Sequence, residues 1–185
     1  MRQSFAILFL SALLLSGCAS REYRAIYTES QQDEPYTLAS GDRLRIIVYG
    51  QDTLSNTYAV DGSGQISMPL IGPFRALGMT LPQLEKAVES RLRNGFLREP
   101  RVAAEVVAYR PFFVIGEITT AGQYPFVNGM TVQNAIAIAG GFTPRAVKTS
   151  VDLTRIIDGV PVILTAPMTA SVRPGDTLNV KERYF

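Results

Sequence analysis

The stretch at residues 111–142, PFFVIGEITTAGQYPFVNGMTVQNAIAIAGGF, runs through three periods in succession. Phe112, Phe113, Val114 and Ile115 form a continuous apolar run, which predicts a strand covered on both faces and central in its sheet. Gly116 ends that run where a side chain would crowd a neighbour. Ala121-Gly122 turns the chain, Tyr124 and Phe126 resume period-two spacing, and Asn128-Gly129 turns it again. Thr131 is the natural N-cap of a helix whose apolar positions Val132, Ala135, Ile136 and Ala139 recur at helical spacing, and Gly140-Gly141 stops it. Strand, hairpin and helix together predict a β-grasp-like unit onto which the rest of the chain packs.

Upstream, Ser40-Gly41-Asp42 launches Leu44, Ile46 and Val48 as the inward face of a strand, and Pro174-Gly175-Asp176 repeats the device before Leu178 and Val180; the two turns mark equivalent edges. Tyr58 and Val60 alternate with Ile66, Met68 and Leu70 across Asp61-Gly62-Ser63-Gly64, which predicts a hairpin. A calcium loop is the sharper reading of that turn, but it falls short of the oxygen ligands and terminal glutamate such a loop needs, so no metal is expected. Thr80 with Gln83 gives a capping box, Leu81, Leu84, Val88 and Leu92 a buried stripe, and Asn94-Gly95 a stop. Lys86, Glu89, Arg91 and Arg93 read as a solvated face, or as a subunit interface using the same charges. Val102, Ala104, Val106 and Ala108 form the next strand, and Asp158-Gly159 joins two more in the strongest hairpin signal of the chain.

The first residues, MRQSFAILFLSALLLSGC, combine a basic start with an apolar run too short to span a membrane, and so predict an export signal over 1–17. Leu15-Ser16-Gly17-Cys18 resembles a bacterial lipobox, with cleavage between Gly17 and Cys18 and lipid attachment at Cys18. A plain secretory signal with an incidental cysteine is the alternative. Residues 18–35 have no sustained period and read as a lipidated start and tether. At about 3.3 Å per residue the stretch from Ala19 to Pro35 reaches roughly 55 Å.

Composition narrows the function. With 46% hydrophobic and 18% charged residues the chain is globular, and 18 basic against 16 acidic residues leave no nucleic-acid footprint. Zero histidines, one cysteine and zero tryptophans remove the commonest general base, imidazole metal sites and the best sugar-stacking platform. The carboxylates of Asp42, Asp61 and Asp176 have turn roles. Arg155 could meet an acidic polymer, but an outward-facing arginine on a half-exposed strand is the commoner case. No catalytic residues, cofactor or metal are expected, and a glycosidase-type carboxylate pair is not suggested by the spacing.

Two ordered motif sets behind the lipobox carry a resemblance. Tyr36-Thr37-Leu38, Ser40-Gly41-Asp42, Val60-Asp61-Gly62, Ile66, Pro69, Ile71-Gly72, Gly78-Met79-Thr80 and Glu99-Pro100-Arg101-Val102 resemble the polysaccharide export domain. Val114-Ile115-Gly116-Glu117-Ile118, Gly122, Thr131-Val132, Ala139-Gly140-Gly141-Phe142 and Pro174-Gly175-Asp176 are similar to the soluble-ligand-binding β-grasp (SLBB) module. Ala121 departs from the family's usual proline.

The chain is therefore identified as a member of the outer-membrane polysaccharide export family. The resemblance implies an α+β fold of two small domains, the export domain at 36–109 and the SLBB domain at 110–185. It also implies an outer-membrane lipoprotein, on the periplasmic side, forming a homo-oligomeric ring through which capsular or exopolysaccharide passes from an inner-membrane copolymerase and chain-length regulator. A non-transporting glycan-binding or scaffolding lipoprotein is the competing reading. Five residues after Val180 cannot cross a bilayer core of about 30 Å, so the exit is expected to need another outer-membrane component such as a β-barrel, with Tyr184 and Phe185 as candidate contacts. The polymer-contacting residues stay unknown at this level.

Overall fold

The computed structural model describes residues 24–26, 35–157 and 159–183. The export signal, Gly17, Cys18, Tyr184 and Phe185 lie outside them. In the first domain, β2 (Arg43–Val48) is the middle strand of an antiparallel sheet, flanked by β3 (Asn56–Ala59) and β6 (Val102–Ala108). Its alternation puts Leu44, Ile46 and Val48 into the core, where burial of each contributes about 1.5–3 kcal/mol. Helix α1 (Leu81–Arg93) covers that face with Leu84, Val88 and Leu92. Its start is held where the sequence asks, since the Thr80 N–H donates to Gln83 Oε1 at 2.9 Å.

Glu89 does not lie on a solvated face. It and Glu85, one turn apart on α1, reach over the open edge of β6 and accept from the Val102 and Ala104 amides at 3.0 and 2.8 Å. Edge amides would otherwise template pairing with another chain, and two carboxylates occupy them instead. Lys86, Arg91 and Arg93 are exposed, with the Arg91 guanidinium 5.0 Å from the centroid of the Phe74 ring.

The expected hairpin across Asp61-Gly62-Ser63-Gly64 does not form as one ladder. β3 pairs with β2, while β4 (Gln65–Met68) pairs with β5 (Gly72–Arg75) in a separate ribbon. The turn itself is closed by the Asp61 amide on Gln65 O, but the Gly64 carbonyl then accepts from both Ala76 and Leu77, which draws the outgoing strand to a later partner. The left-handed residue of this turn is Gly64 rather than Gly62, and Leu77 packs directly on it. Leu70, expected inward, is instead 56% exposed at the tip of the second hairpin with φ +70°. A leucine there carries about 1–2 kcal/mol of steric strain. Leu70→Asn is therefore expected to stabilise the protein by about 1 kcal/mol, read as a higher urea midpoint at unchanged slope.

The second domain is a six-stranded sheet in the order β1 (Arg24–Ile26), β10 (Val160–Pro167), β9 (Ser150–Ile157), β11 (Thr177–Val180), β7 (Phe112–Gly116) and β8 (Gly122–Tyr124). A two-residue connection joins β9 (Ser150–Ile157) to β10 (Val160–Pro167), with Ile157 opposite Val160. Strand β11 (Thr177–Val180) lies antiparallel to β9 and parallel to β7 (Phe112–Gly116), and β8 (Gly122–Tyr124) forms an edge. Within the stretch expected as a tether, β1 (Arg24–Ile26) adds a parallel strand to β10. The Gly-Asp turns feed β2 and β11, each an interior strand of its sheet, not an edge.

Helix α2 (Val132–Ile138) packs Val132, Ala135 and Ile136 on one face of this sheet, capped by Thr131 Oγ1, which accepts from the Asn134 amide at 3.3 Å. Gly140 and Gly141 follow its C-cap. A single short helix covers only one side. Phe112 and Val114 are buried completely, but Phe113 and Ile115 on the other face are 40% and 45% exposed, so β7 is neither doubly covered nor the central strand.

Candidate functional site at the joint between the domains

The repeated Gly-Asp turns are built alike, atom for atom, at their base. The Asp42 amide donates to Ala39 O and the Asp176 amide to Arg173 O, both at 3.1 Å, and each carboxylate accepts back from the amide three residues earlier, Ala39 N at 2.8 Å and Arg173 N at 2.7 Å. Both carboxylates are buried. A buried carboxylate needs further donors, and the two turns find them differently.

Asp176 takes Arg155. The guanidinium forms a two-pronged pair, Nε on Oδ1 at 3.0 Å and Nη2 on Oδ2 at 2.7 Å, and Nη2 also donates to Ser171 O. Arg155 is only 4% exposed, so it faces the core of the second domain and is not the outward-facing arginine expected as the commoner case on a half-exposed strand. The period-two pattern does place it on the buried face; only a carboxylate distant in sequence makes that tolerable.

Asp42 takes donors from both sides of the joint. The Tyr36 hydroxyl donates to its Oδ2 at 2.5 Å and the Arg110 amide to its Oδ1 at 2.9 Å, while Arg110 Nη1 stands 3.9 Å from Oδ2 and donates to the Tyr36 oxygen at 3.2 Å. Burial, reinforced by the bond to Asp42, raises the Tyr36 pKa far above the tyrosine range. A raised value in the folded state stabilises fully below the unfolded value of about 10 and is lost as pH climbs beyond it, so Tyr36 remains a donor at every ordinary pH.

Arg110 itself is the wedge. A Cβ placed on Gly175 would meet its Nε at 2.5 Å and one on Gly41 its Cβ at 3.4 Å, so the arginine runs between the two turns, where only glycine backbones admit it. The Gly175 amide donates to Pro111 O and the Phe113 amide to Asp176 O, at 3.0 and 2.9 Å. Beside it, Tyr109 stands edge-on to both Tyr36 and Phe126, with centroids 5.0 and 5.4 Å away, and accepts from Asn128 Nδ2. The connection between β6 and β7 is thus clamped by residues of both domains. Asp42→Asn, which keeps the shape but weakens the charge-assisted bonds, is expected to cost about 2–3 kcal/mol in urea unfolding.

Sequence reasoning singled out Asp42 and Asp176 but missed Arg110; its signal was a basic residue immediately before Pro111, between the two motif sets. Asp61 stands apart from the joint. Its Oδ1 accepts from the Ser63 hydroxyl and amide and from the Gln65 amide, and the Ser63 hydroxyl, followed by the Gln65 amide, holds its carboxyl below the usual range. No group of three or more metal-ligating carboxylates or thiols occurs among the described residues. An open recess of about 340 Å³ is lined by Pro144, Ala146, Val147, Lys148, Thr149 and Arg183, without an aromatic platform. No helix among the described residues is long and apolar enough to cross a membrane.

This joint connects two modules that match known families separately. The family model described as polysaccharide biosynthesis/export protein matches residues 30–107, and the SLBB domain model matches residues 111–166, which leaves Ala108, Tyr109 and Arg110 between the two matches. The chain belongs to the polysaccharide export family, with one export domain followed by one SLBB domain. It is 31% identical over 144 residues to the exopolysaccharide production protein ExoF of Rhizobium meliloti (strain 1021), covering 71% of this chain and 32% of that protein. It is 28% identical over 112 residues to the polysialic acid transport protein KpsD of Escherichia coli, covering 60% of this chain and 20% of that protein. The chain thus spans about a third or less of the length of these relatives.

Proposed function

We propose that the protein is a lipoprotein anchored through Cys18 to the outer membrane, and that on its periplasmic side it forms a homo-oligomeric conduit for capsular or exopolysaccharide. The export domain followed by its SLBB domain carries this reading, together with the similarity of the chain to an exopolysaccharide production protein and a polysialic acid transport protein. A conduit needs subunits whose two domains keep a fixed relation while polymer moves past them. The clamp of Asp42, Tyr36 and Arg110 supports that requirement. The open face bearing Phe113 and Ile115, and the short edge strand β8, are surfaces that ring closure would cover. The partners in this reading are further copies of the chain, an inner-membrane copolymerase with chain-length control, the exported polymer, and an outer-membrane exit component. No enzymatic step is assigned to it.

The test is a deletion strain complemented by wild type or by Cys18→Ser. Deletion is expected to trap polymer inside the envelope, wild type to restore secretion, and Cys18→Ser to leave the protein out of outer-membrane fractions with secretion impaired. Unchanged secretion in the deletion strain overturns the conduit and favours a glycan-binding scaffold. A Cys18→Ser variant that still fractionates with outer membranes overturns the anchor.

A further inference from the structure

Strand β1 fixes a direction for the chain that precedes it. It runs parallel to β10, with Arg24 beside Ile163 and Ile26 beside Thr165. The chain before Arg24 therefore leaves toward the start of β10, the end at which the β9–β10 hairpin turns. Val160 lies three positions before Ile163, about 10 Å along the strand. Cys18 lies six positions before Arg24 and so within about 20 Å of it. Strand β1 thus begins toward the end of the second domain from which this hairpin projects, and Cys18 is six positions ahead of it in sequence.

That hairpin end has an unusual surface. Ile156 is 71% exposed, the highest value among the large apolar side chains described, Val160 is 58% exposed, and Pro161 beside it is also exposed. Residues around a tight turn are ordinarily polar, because nothing there shields an aliphatic group from water. The nearest cation in sequence, Arg155, is turned into the core by Asp176, so no basic group of β9 dilutes the apolar end. In the run IIDGVP the one charged residue is Asp158.

We propose that the Ile156 and Val160 end of the β9–β10 hairpin is a second membrane contact, seated in the bilayer interface beside the acylated cysteine. The proposal rests on lipid attachment at Cys18. Acyl chains alone hold the protein at the membrane but do not set its tilt. An aliphatic hairpin end entering the headgroup boundary gives a second point and sets the tilt of the SLBB domain, as apolar faces of interfacial elements do at about 5–10 Å depth.

The absence of tryptophan from the chain makes the test direct. Val160→Trp, and Tyr49→Trp as a reference at a 64% exposed site in the export domain, are each introduced into the acylated full chain. Both are reconstituted in phosphatidylcholine vesicles containing brominated phosphatidylcholine, a zwitterionic lipid that leaves no role to charge attraction. Palmitate labelling is followed in parallel.

The expected result is a blue shift and loss of emission for Val160→Trp, with quenching strongest from bromine about 5–10 Å below the headgroups, and neither effect for Tyr49→Trp. Aqueous, unquenched emission from Val160→Trp on vesicle-bound, acylated protein overturns the proposal while leaving the lipoprotein reading intact. A blue shift without vesicles that grows with protein concentration overturns it too, by assigning the hairpin end to a second copy of the chain. If palmitate is not incorporated, the anchor reading fails by itself, and quenching of Val160→Trp by brominated vesicles still decides for or against the membrane contact.

Discussion

Arg155→Met lowers the stability of the second domain by about 3–5 kcal/mol, while the double variant Arg155→Met with Asp176→Asn recovers most of that loss. The asymmetry follows from what each change leaves behind. The pair is almost wholly out of water, with side-chain exposures of 4% and 2%. Removing only the cation strands a buried carboxylate whose remaining donor is the Arg173 amide at 2.7 Å. An asparagine at 176 keeps that turn bond and carries no charge to desolvate. The native pair is also imperfect, since Arg155 Nη1 is buried without a hydrogen-bond partner among the described residues, which limits what the pair contributes over an apolar replacement. Urea unfolding of the four variants of this cycle measures the coupling. A single variant within about 1 kcal/mol of wild type would sink the argument.

Gly116→Ala is the second large expected effect. On this backbone the added Cβ would lie 2.2 Å from the Val180 carbonyl oxygen and 2.8 Å from Asn179 Oδ1, at φ +90°. The left-handed conformation alone costs an alanine about 1–2 kcal/mol. The overlap cannot be relieved by a rotamer change, because the main obstacle is backbone of the paired strand β11. Separating the strands also breaks the bond from the Glu117 amide to Val180 O, 2.9 Å long. A total loss of roughly 3 kcal/mol or more is expected, with faster hydrogen exchange at the Glu117 amide. Gly129→Ala separates the two causes: its φ is +79° but nothing lies within 4 Å of the new Cβ, so it is expected to cost only the conformational part, about 1 kcal/mol. Equal losses at both positions would show that crowding against Val180 is unimportant.

Local periodicity determined the helices and most strands of this protein. Leu84, Val88 and Leu92 share one face of α1 whatever else the chain does, Thr80 and Thr131 hold helix starts through residues three positions on, and the two-residue connection before Val160 fits one hairpin geometry. These are short-range facts set by side-chain spacing and backbone sterics. The export and SLBB modules were legible for the same reason, as runs of turn and strand residues in fixed order.

Partner choice over long separations was settled only in three dimensions. Period two says that Ile66 and Met68 face one way, but not that β4 will leave β3 for β5; two amides arriving at the Gly64 carbonyl decide that. A continuous apolar run at β7 does not reveal that one short helix covers a single face and leaves Phe113 and Ile115 open. Charge in sequence likewise fails to say whether Glu89 meets water or the edge of β6, or whether Arg155 meets solvent or Asp176. At the joint, Tyr36, Asp42 and Arg110 come from segments up to 74 positions apart. Their meeting depends on the packing of both domains, because a hydrogen bond acts over about 3 Å and sequence carries no direct record of which distant groups approach so closely.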